Sequence, residues 1–346
     1  MQNYKLIFLA LAAMILAACA PKLDETPILT VMTHDSFAIS EQVILEFESD
    51  YNVDVVFIKL GDTGEAVNKA VLAAGNPLAD VFYGVDNSFL SRALDGDIFE
   101  VYASPQLAEL ADEFKLDPTN HALPINFGDV CINIDKAYFA DNGLAMPSTL
   151  DDLLAEEYAD LLVVQNPATS SPGLAFLLAT IGTYGESGYL DYWAALRENG
   201  LKVVNDWESA YYTEFSHWGG AYPLVVSYSS SPPAEVIFAE TALDAAPTTS
   251  MIGAGSCFRQ IEFAGILRGT EQRELAEDWI DFMLSLSFQE DLPLQMFVFP
   301  VLASAALPQE FISYAKLSEF PVNIEHSLIA ENREEWIIAW AEEVLR

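Results

Sequence analysis

From residue 28 onward the chain alternates short apolar runs with amphipathic segments, which limits it to an open α/β architecture. ILTVM reads as a strand; beyond Ser36, a candidate N-cap, Ile39, Val43, Ile44 and Phe47 recur at helical spacing, and VDVVFIKL (53–60) is β-rich again. A helix through Ala66, Val67, Ala70 and Val71 follows, closed by Gly75-Asn76-Pro77, and ADVFYGV (79–85) supplies a third strand. The order βαβαβ predicts a mainly parallel sheet covered by helices on both faces. It restarts after residue 128 with the strand DVCINID and a helix carrying Leu150, Leu153 and Leu154 behind a capping box, Ser148-x-x-Asp151. DLLVVQ, LKVVN and PLVVSY are further strands, separated by helices near 173–184, 188–199 and 208–217. Residues 256–268 read as one long strand, and the remainder as helical, with Trp336, Ile337, Trp340 and Val344 on an amphipathic C-terminal segment. At 346 residues and 52% hydrophobic content the chain can fill two α/β lobes.

The N-terminus carries Lys5 and then the apolar stretch Leu6 to Ala18, short for a membrane span and typical of a signal peptide. Leu16-Ala17-Ala18-Cys19 resembles the bacterial lipobox, so residues 1–18 are expected to be removed, Cys19 lipidated, and 19–27 left as a polar tether. That places the protein outside the cytoplasm, held to the membrane only by lipid. Cys131 and Cys257 then remain, where oxidation is permitted; they either pair or stay as separate buried thiols. The formal charge of −37, from 15 Lys and Arg against 52 Asp and Glu, repels nucleic acid and tolerates a cationic ligand.

In open α/β sheets ligands sit beyond the carboxyl ends of the strands. Those ends read His34-Asp35-Ser36, Gly61-Asp62-Thr63 and Asp86-Asn87 in the first half, and Thr169-Ser170-Ser171, Asp206-Trp207 and Tyr228-Ser229 in the second. Ser170 and Ser171, ahead of Pro172 and an apolar helix, suit an oxygen or anion site and equally a plain helix cap. Trp207 and Tyr228 offer faces for a flat cation, with Asp35 or Asp86 as counter-charge. Tyr211 and Tyr212 raise a ferric site, but neighbours on a helix point about 100° apart, which favours one packed ring and one exposed. The four His are scattered without zinc spacing, and no nucleophile elbow, P-loop or dinucleotide fingerprint occurs, so neither a metal, a cofactor nor catalysis is expected.

Taken together, LTVMTHDSF, NPLADVFYGVDNSFL (76–90), NPATSSPGLAFLLATI (166–181), DWESAY (206–211) and SYSSSP (227–232) resemble the thiamine-binding components of bacterial ABC importers, in the type II periplasmic binding protein superfamily. The resemblance spans nearly all of the mature chain. It implies an α/β, two-lobed fold with the ligand cleft at the hinge, lobe 1 comprising 28–128 and 264–310 and lobe 2 comprising 129–263 and 311–346. It also implies a receptor that delivers thiamine or a thiamine phosphate to permease subunits, which with the lipobox is expected to be a monomer anchored by lipid. The resemblance matches Asp35, Ser36, Asp86, Asn87, Ser170, Ser171, Trp207 and Tyr228 to the family's ligand contacts, and the strand-end reading completes the expected set with His34, Asp62, Tyr211, Ser229 and Phe297. His34 stands where Tyr is common, Ala234 where enteric relatives place a clamp Tyr, and Phe297 where a Trp is found. DVCINID and SCFRQIEF match the strands that cross between lobes, which would bring Cys131 and Cys257 within bonding reach. Alternatives are a thiaminase-like enzyme using one of those thiols, or a receptor for ferric iron or a polyamine.

Overall fold

The computed structural model describes residues 26–322 and 324–346. The signal segment, Cys19 and most of the tether lie outside the described residues. Eleven strands join in one sheet: β1 (Ile28–Thr33), β2 (Asp54–Lys59), β3 (Val81–Asp86), β4 (Phe99–Glu100), β5 (Leu123–Asp135), β6 (Leu162–Gln165), β7 (Lys202–Val204), β8 (Leu224–Tyr228), β9 (Thr248–Met251), β10 (Phe258–Leu267) and β11 (Phe299–Pro300). The main order is β2-β1-β3-β10-β5-β8-β6-β7. Parallel triplets, β2-β1-β3 at one end and β8-β6-β7 at the other, flank the antiparallel pair β10 and β5. Each triplet is a βαβ product, and the pair between them belongs to both halves. The two-lobed arrangement expected from the sequence follows from this order.

β5 begins at Leu123, six residues before the expected DVCINID, because LPINFG continues the extended run. Its first half pairs β10 and β11, and its second half pairs β8 and β9. β10 in turn pairs β3 through Glu262–Ile266. Cys131 and Cys257 are joined in a disulfide with Cα atoms 4.5 Å apart, tying the two crossing strands together.

Several local expectations shift. The first helix is Glu41–Tyr51, with Ser40 rather than Ser36 at its N-cap position, because Ser36 belongs to the turn leaving β1. The capping box sits one residue later: Thr149 N–H donates to Asp152 Oδ2 at 2.9 Å, and Asp152 N–H donates back to Thr149 Oγ1 at 3.2 Å. It opens only a 3₁₀ turn, Asp151–Leu154, leaving Asp151 to accept from the Tyr184 hydroxyl at 2.8 Å. The helix expected over 208–217 is instead a π-helical turn, Ser209–Glu214, followed by a 3₁₀ turn, Ser216–Trp218. Phe215 N–H reaches the Ala210 carbonyl, five residues back, at 3.0 Å. The C-terminal helix His326–Val344 buries Trp336, Ile337, Trp340 and Val344, and Trp340 meets Trp193 edge-on at 5.5 Å.

Candidate ligand-binding cleft

Between the two parallel triplets lies a cleft of about 240 Å³. From the β1–β2 side it is lined by His34, Ser36, Asp62 and Thr63; from the other side by Ser171, Trp207, Tyr211, Tyr212 and Tyr228. Glu262 of β10 lines it too, and Met296 and Phe297 border it from the segment before β11.

The charged side is built around His34. Gly84 of β3, at φ +105°, makes room for its ring: a Cβ there would lie 2.4 Å from His34 Cδ2. His34 Nε2 is 3.4 Å from Glu262 Oε1. Burial pulls the imidazole pKa down, but the Glu262 carboxylate outweighs it and the value is raised. Burial likewise opposes charge on Glu262, and His34, Asn126 and Tyr83 together hold its pKa below the usual range. The Tyr83 hydroxyl donates to Glu262 Oε2 at 2.9 Å. His34 and Glu262 are therefore a buried pair in which each favours the charged form of the other. Asp62 caps the helix Thr63–Leu72 through Thr63 N–H at 2.8 Å. Its Oδ2 is shielded and unpartnered, and burial raises its pKa.

The aromatic side comes from the π-helical turn and from the end of β8. The wider turn lets Trp207 stack on Tyr211, with centroids 5.0 Å apart and planes 15° from parallel, while Tyr212 stands edge-on to both. Trp207 Nε1 donates to Ser227 Oγ at 2.9 Å, which fixes the indole. The Tyr211 hydroxyl donates to Glu235 at 2.6 Å, and burial lifts Glu235 to about 7. Tyr211 is 3% exposed and Tyr212 50%, so the packed-and-exposed arrangement holds for the adjacent pair. With the Tyr211 phenol spent on Glu235 and its pKa held far up by burial and that carboxylate, the two tyrosines do not present a phenolate pair. Tyr228 donates to Gln260 Oε1 at 3.3 Å; burial first, then Glu262, Asp86 and Asp62, drive its pKa up.

Of the thirteen sequence-derived ligand residues, the cleft brings together His34, Ser36, Asp62, Ser171, Trp207, Tyr211, Tyr228 and Phe297. The others lie around it. Asp35 is exposed and joins the ends of β1 and β2, its carboxylate accepting from Gly61 N–H at 2.9 Å and its carbonyl from Lys59 Nζ at 2.7 Å. Asp86 is fully buried and accepts from Ser88 N–H at 2.7 Å and from the Ser88 and Ser171 hydroxyls. Asn87 clamps β10, accepting from Ile261 N–H and donating to the Arg259 carbonyl, both at 3.0 Å. Ser170 and Ser229 are buried with unpartnered hydroxyls, and Ser170 makes no side-chain cap to its helix.

Glu262 is the main residue that rim-based reading passes over, because it sits inside a crossing strand rather than after one. A carboxylate flanked by Ile261 and Phe263 in an otherwise buried strand is the signal that marks it. Glu208, Gln295, Met296 and Val298 also line the cleft without a local signature. Among the described residues no cluster of His, Cys, Asp and Glu fit to hold a metal occurs, and no helix is long and apolar enough to cross a membrane.

Residues 76–321 match the family model for bacterial extracellular solute-binding proteins. A thiamine-binding periplasmic protein of Salmonella typhimurium is 29% identical, the match covering 96% of this chain and 98% of the relative. The Escherichia coli protein of the same description is 28% identical over the same shares. Among solved structures, a periplasmic thiamin binding protein superposes with a TM-score of 0.82 at 25% identity, covering 93% of this chain and 98% of that one.

Proposed function

The chain belongs to the bacterial extracellular solute-binding protein family, and on that premise we propose that it is a receptor for thiamine that hands its ligand to an ABC importer. The observation that carries this reading is the pairing of chemistries across one cleft: Trp207, Tyr211, Tyr212 and Tyr228 face Asp62 and the ionised Glu262. Thiamine has a fixed positive thiazolium and a flat pyrimidine. Such a cation gains roughly 1–2 kcal/mol over a desolvated aromatic face, and carboxylates nearby supply counter-charge. The relatives described as thiamine-binding support the same ligand.

The protein is a binding protein and not an enzyme. Both Cys131 and Cys257 are in the disulfide, so neither sulfur is the free nucleophile that a thiamine-cleaving reaction would need. Its place is extracytoplasmic, and attachment through a lipidated Cys19 belongs to this proposal. So do the lobe limits 28–128 with 264–310 and 129–263 with 311–346; their support is that the cuts at 128/129 and 263/264 fall within the shared strands β5 and β10.

Isothermal calorimetry of the purified chain with thiamine, spermidine and Fe(III) tests the ligand. Saturable micromolar or tighter binding of thiamine alone is expected; a protein that takes up iron or the polyamine and ignores thiamine sinks the reading.

A further inference from the structure

We propose that Glu235 is a positioning residue for the aromatic wall, and that its charge sets how tightly the cleft holds a flat cation. The inference rests on the thiamine reading and concerns what tunes that affinity. Glu235 does not line the cleft; it acts through rings that do. It follows Ser231 by four residues on the helix Ser231–Ile237, so the two side chains share one face. Both stacked rings are held from that face. Trp207 Nε1 donates to Ser227 Oγ at 2.9 Å, and Ser227 Oγ lies 2.9 Å from Ser231 Oγ. The Tyr211 hydroxyl donates to Glu235 Oε1 at 2.6 Å, while the Thr248 hydroxyl of β9 donates to Oε2 at 2.5 Å. An ionised carboxylate accepts on both oxygens; protonation places a donor on one of them and weakens the bond received there. The charge-assisted bond fixes Tyr211 against Trp207 and enriches the electron density of its ring, which favours a cation on that wall.

Glu235 is 4% exposed, and burial lifts its pKa to about 7, where its charge can change. A second cavity of about 240 Å³, lined by Glu235, Trp218 and Phe238 beyond Tyr211 and Tyr212, gives protons a route to it. Burial raises the pKa values of Tyr211 and Tyr212 on the π-helical turn, so both stay protonated; Glu208, at the head of that turn, acts on Tyr212. Burial keeps His217 of the next turn neutral. Lys136, which opens the helix after β5, draws Glu235 down less than the two hydroxyls do. Asp135, opposite Thr248, is engaged by Ala137 N–H and the Ser216 hydroxyl. On the helix Gln309–Tyr314, packed against the Glu235 helix, Glu310 is half-buried and the Tyr314 hydroxyl donates to the Asp244 carbonyl at 3.3 Å. A bound cation favours ionised Glu235, so affinity rises as pH rises through about 7. Stability runs the other way: the folded chain binds more protons than the unfolded one between 4.5 and about 7, so Glu235's contribution is fully present below 4.5 and is lost as pH rises through about 7.

Calorimetric titration of the whole protein with thiamine between about pH 6 and pH 8 tests this. Affinity is expected to rise about fivefold across that range, the change that goes with a bound cation lowering the carboxyl pKa by about one. Glu235→Gln is expected to bind at about the wild-type pH 6 level throughout, keeping only the slope that buried His34 contributes. Should that variant fail to fold, Tyr211→Phe, which keeps the ring and removes the donor, is expected to flatten the profile in the same way. In urea at about pH 8, Glu235→Gln should be at least as stable as the wild type while binding more weakly, an ordering that a purely structural role would reverse. Wild-type affinity that does not change with pH overturns the proposal and leaves the thiamine reading standing. A folded Glu235→Gln or Tyr211→Phe with the wild-type slope overturns it as well. Failure to bind thiamine at any pH removes the thiamine reading and the proposal with it.

Discussion

The two walls of the cleft are made of different chemistry. On the β1–β2 wall His34, Ser36, Asp62 and Thr63 follow strand ends, and the charged members are held by the backbone and by Glu262. On the wall beyond β8 the functional surface is π-electron area: Trp207 stacked on Tyr211, with Tyr212 and Tyr228 beside them. The first wall is held by the His34–Glu262 contact and the Asp62 helix cap; the second is held by ring packing and one indole hydrogen bond. Neither wall alone suits a flat cation in water, where an exposed carboxylate or an exposed ring gains little. Brought together at β5 and β10, they can desolvate one ligand between them. Binding energy is therefore expected to reside mainly on the aromatic wall and folding energy mainly on the charged one.

The largest effect should come from the charged wall and should appear in stability. Glu262→Gln removes the partner of buried His34 and is expected to cost about 3 kcal/mol in urea unfolding. The sign with pH follows from the two shifts. His34 has a raised pKa, so its contribution is fully present below 6.5 and is lost as pH rises through the raised value. Glu262 has a lowered pKa, so its contribution is present above 4.5 and is lost as pH falls through the lowered value. The variant's deficit should thus be greatest between these two reference values, and a deficit independent of pH would break the assignment of folding energy to this pair.

Next in size is the aromatic wall, read in affinity. Trp207→Ala should weaken thiamine binding by roughly 30-fold, about 2 kcal/mol, as expected of a desolvated aromatic anchor. Its effect on binding should exceed its effect on the unfolding midpoint. The reverse ranking would place Trp207 with the core and erase the contrast. The smallest effect is expected at Tyr212, whose ring is 50% exposed and stands edge-on to Trp207. Tyr212→Ala should change affinity by less than about 1 kcal/mol, because an exposed ring gives up little buried area. A larger loss in calorimetry would mean that ligand binding buries this ring.

Much of this was legible from residues in sequence order. The strand-end rule reached His34, Ser36, Asp62, Ser171, Trp207 and Tyr228 because each directly follows an apolar run or caps the helix after it. It also gathered Asp35 and Asn87, which obey the same local rule but are used for the architecture, one joining β1 to β2 and the other holding β10. No pattern distinguishes a polar side chain that turns to the ligand from one that turns to a neighbouring backbone. The residue pattern over 208–217 suits an ordinary helix as well as a π-helical turn, and the π-helical turn is the one that accompanies the packing of four rings around Tyr211.

What the sequence by itself determined is the alternation of elements in two α/β halves and the rims where a ligand could sit. Hydrophobic period and turn chemistry act over a few residues and leave a readable trace. What the tertiary structure alone decided is partnership: Glu262 with His34, Cys131 with Cys257 across 126 residues, Asp86 with Ser171. Electrostatic and hydrogen-bond energies depend on separations of a few ångströms, and for residues far apart in the chain only the register of β3, β10 and β5 sets those separations.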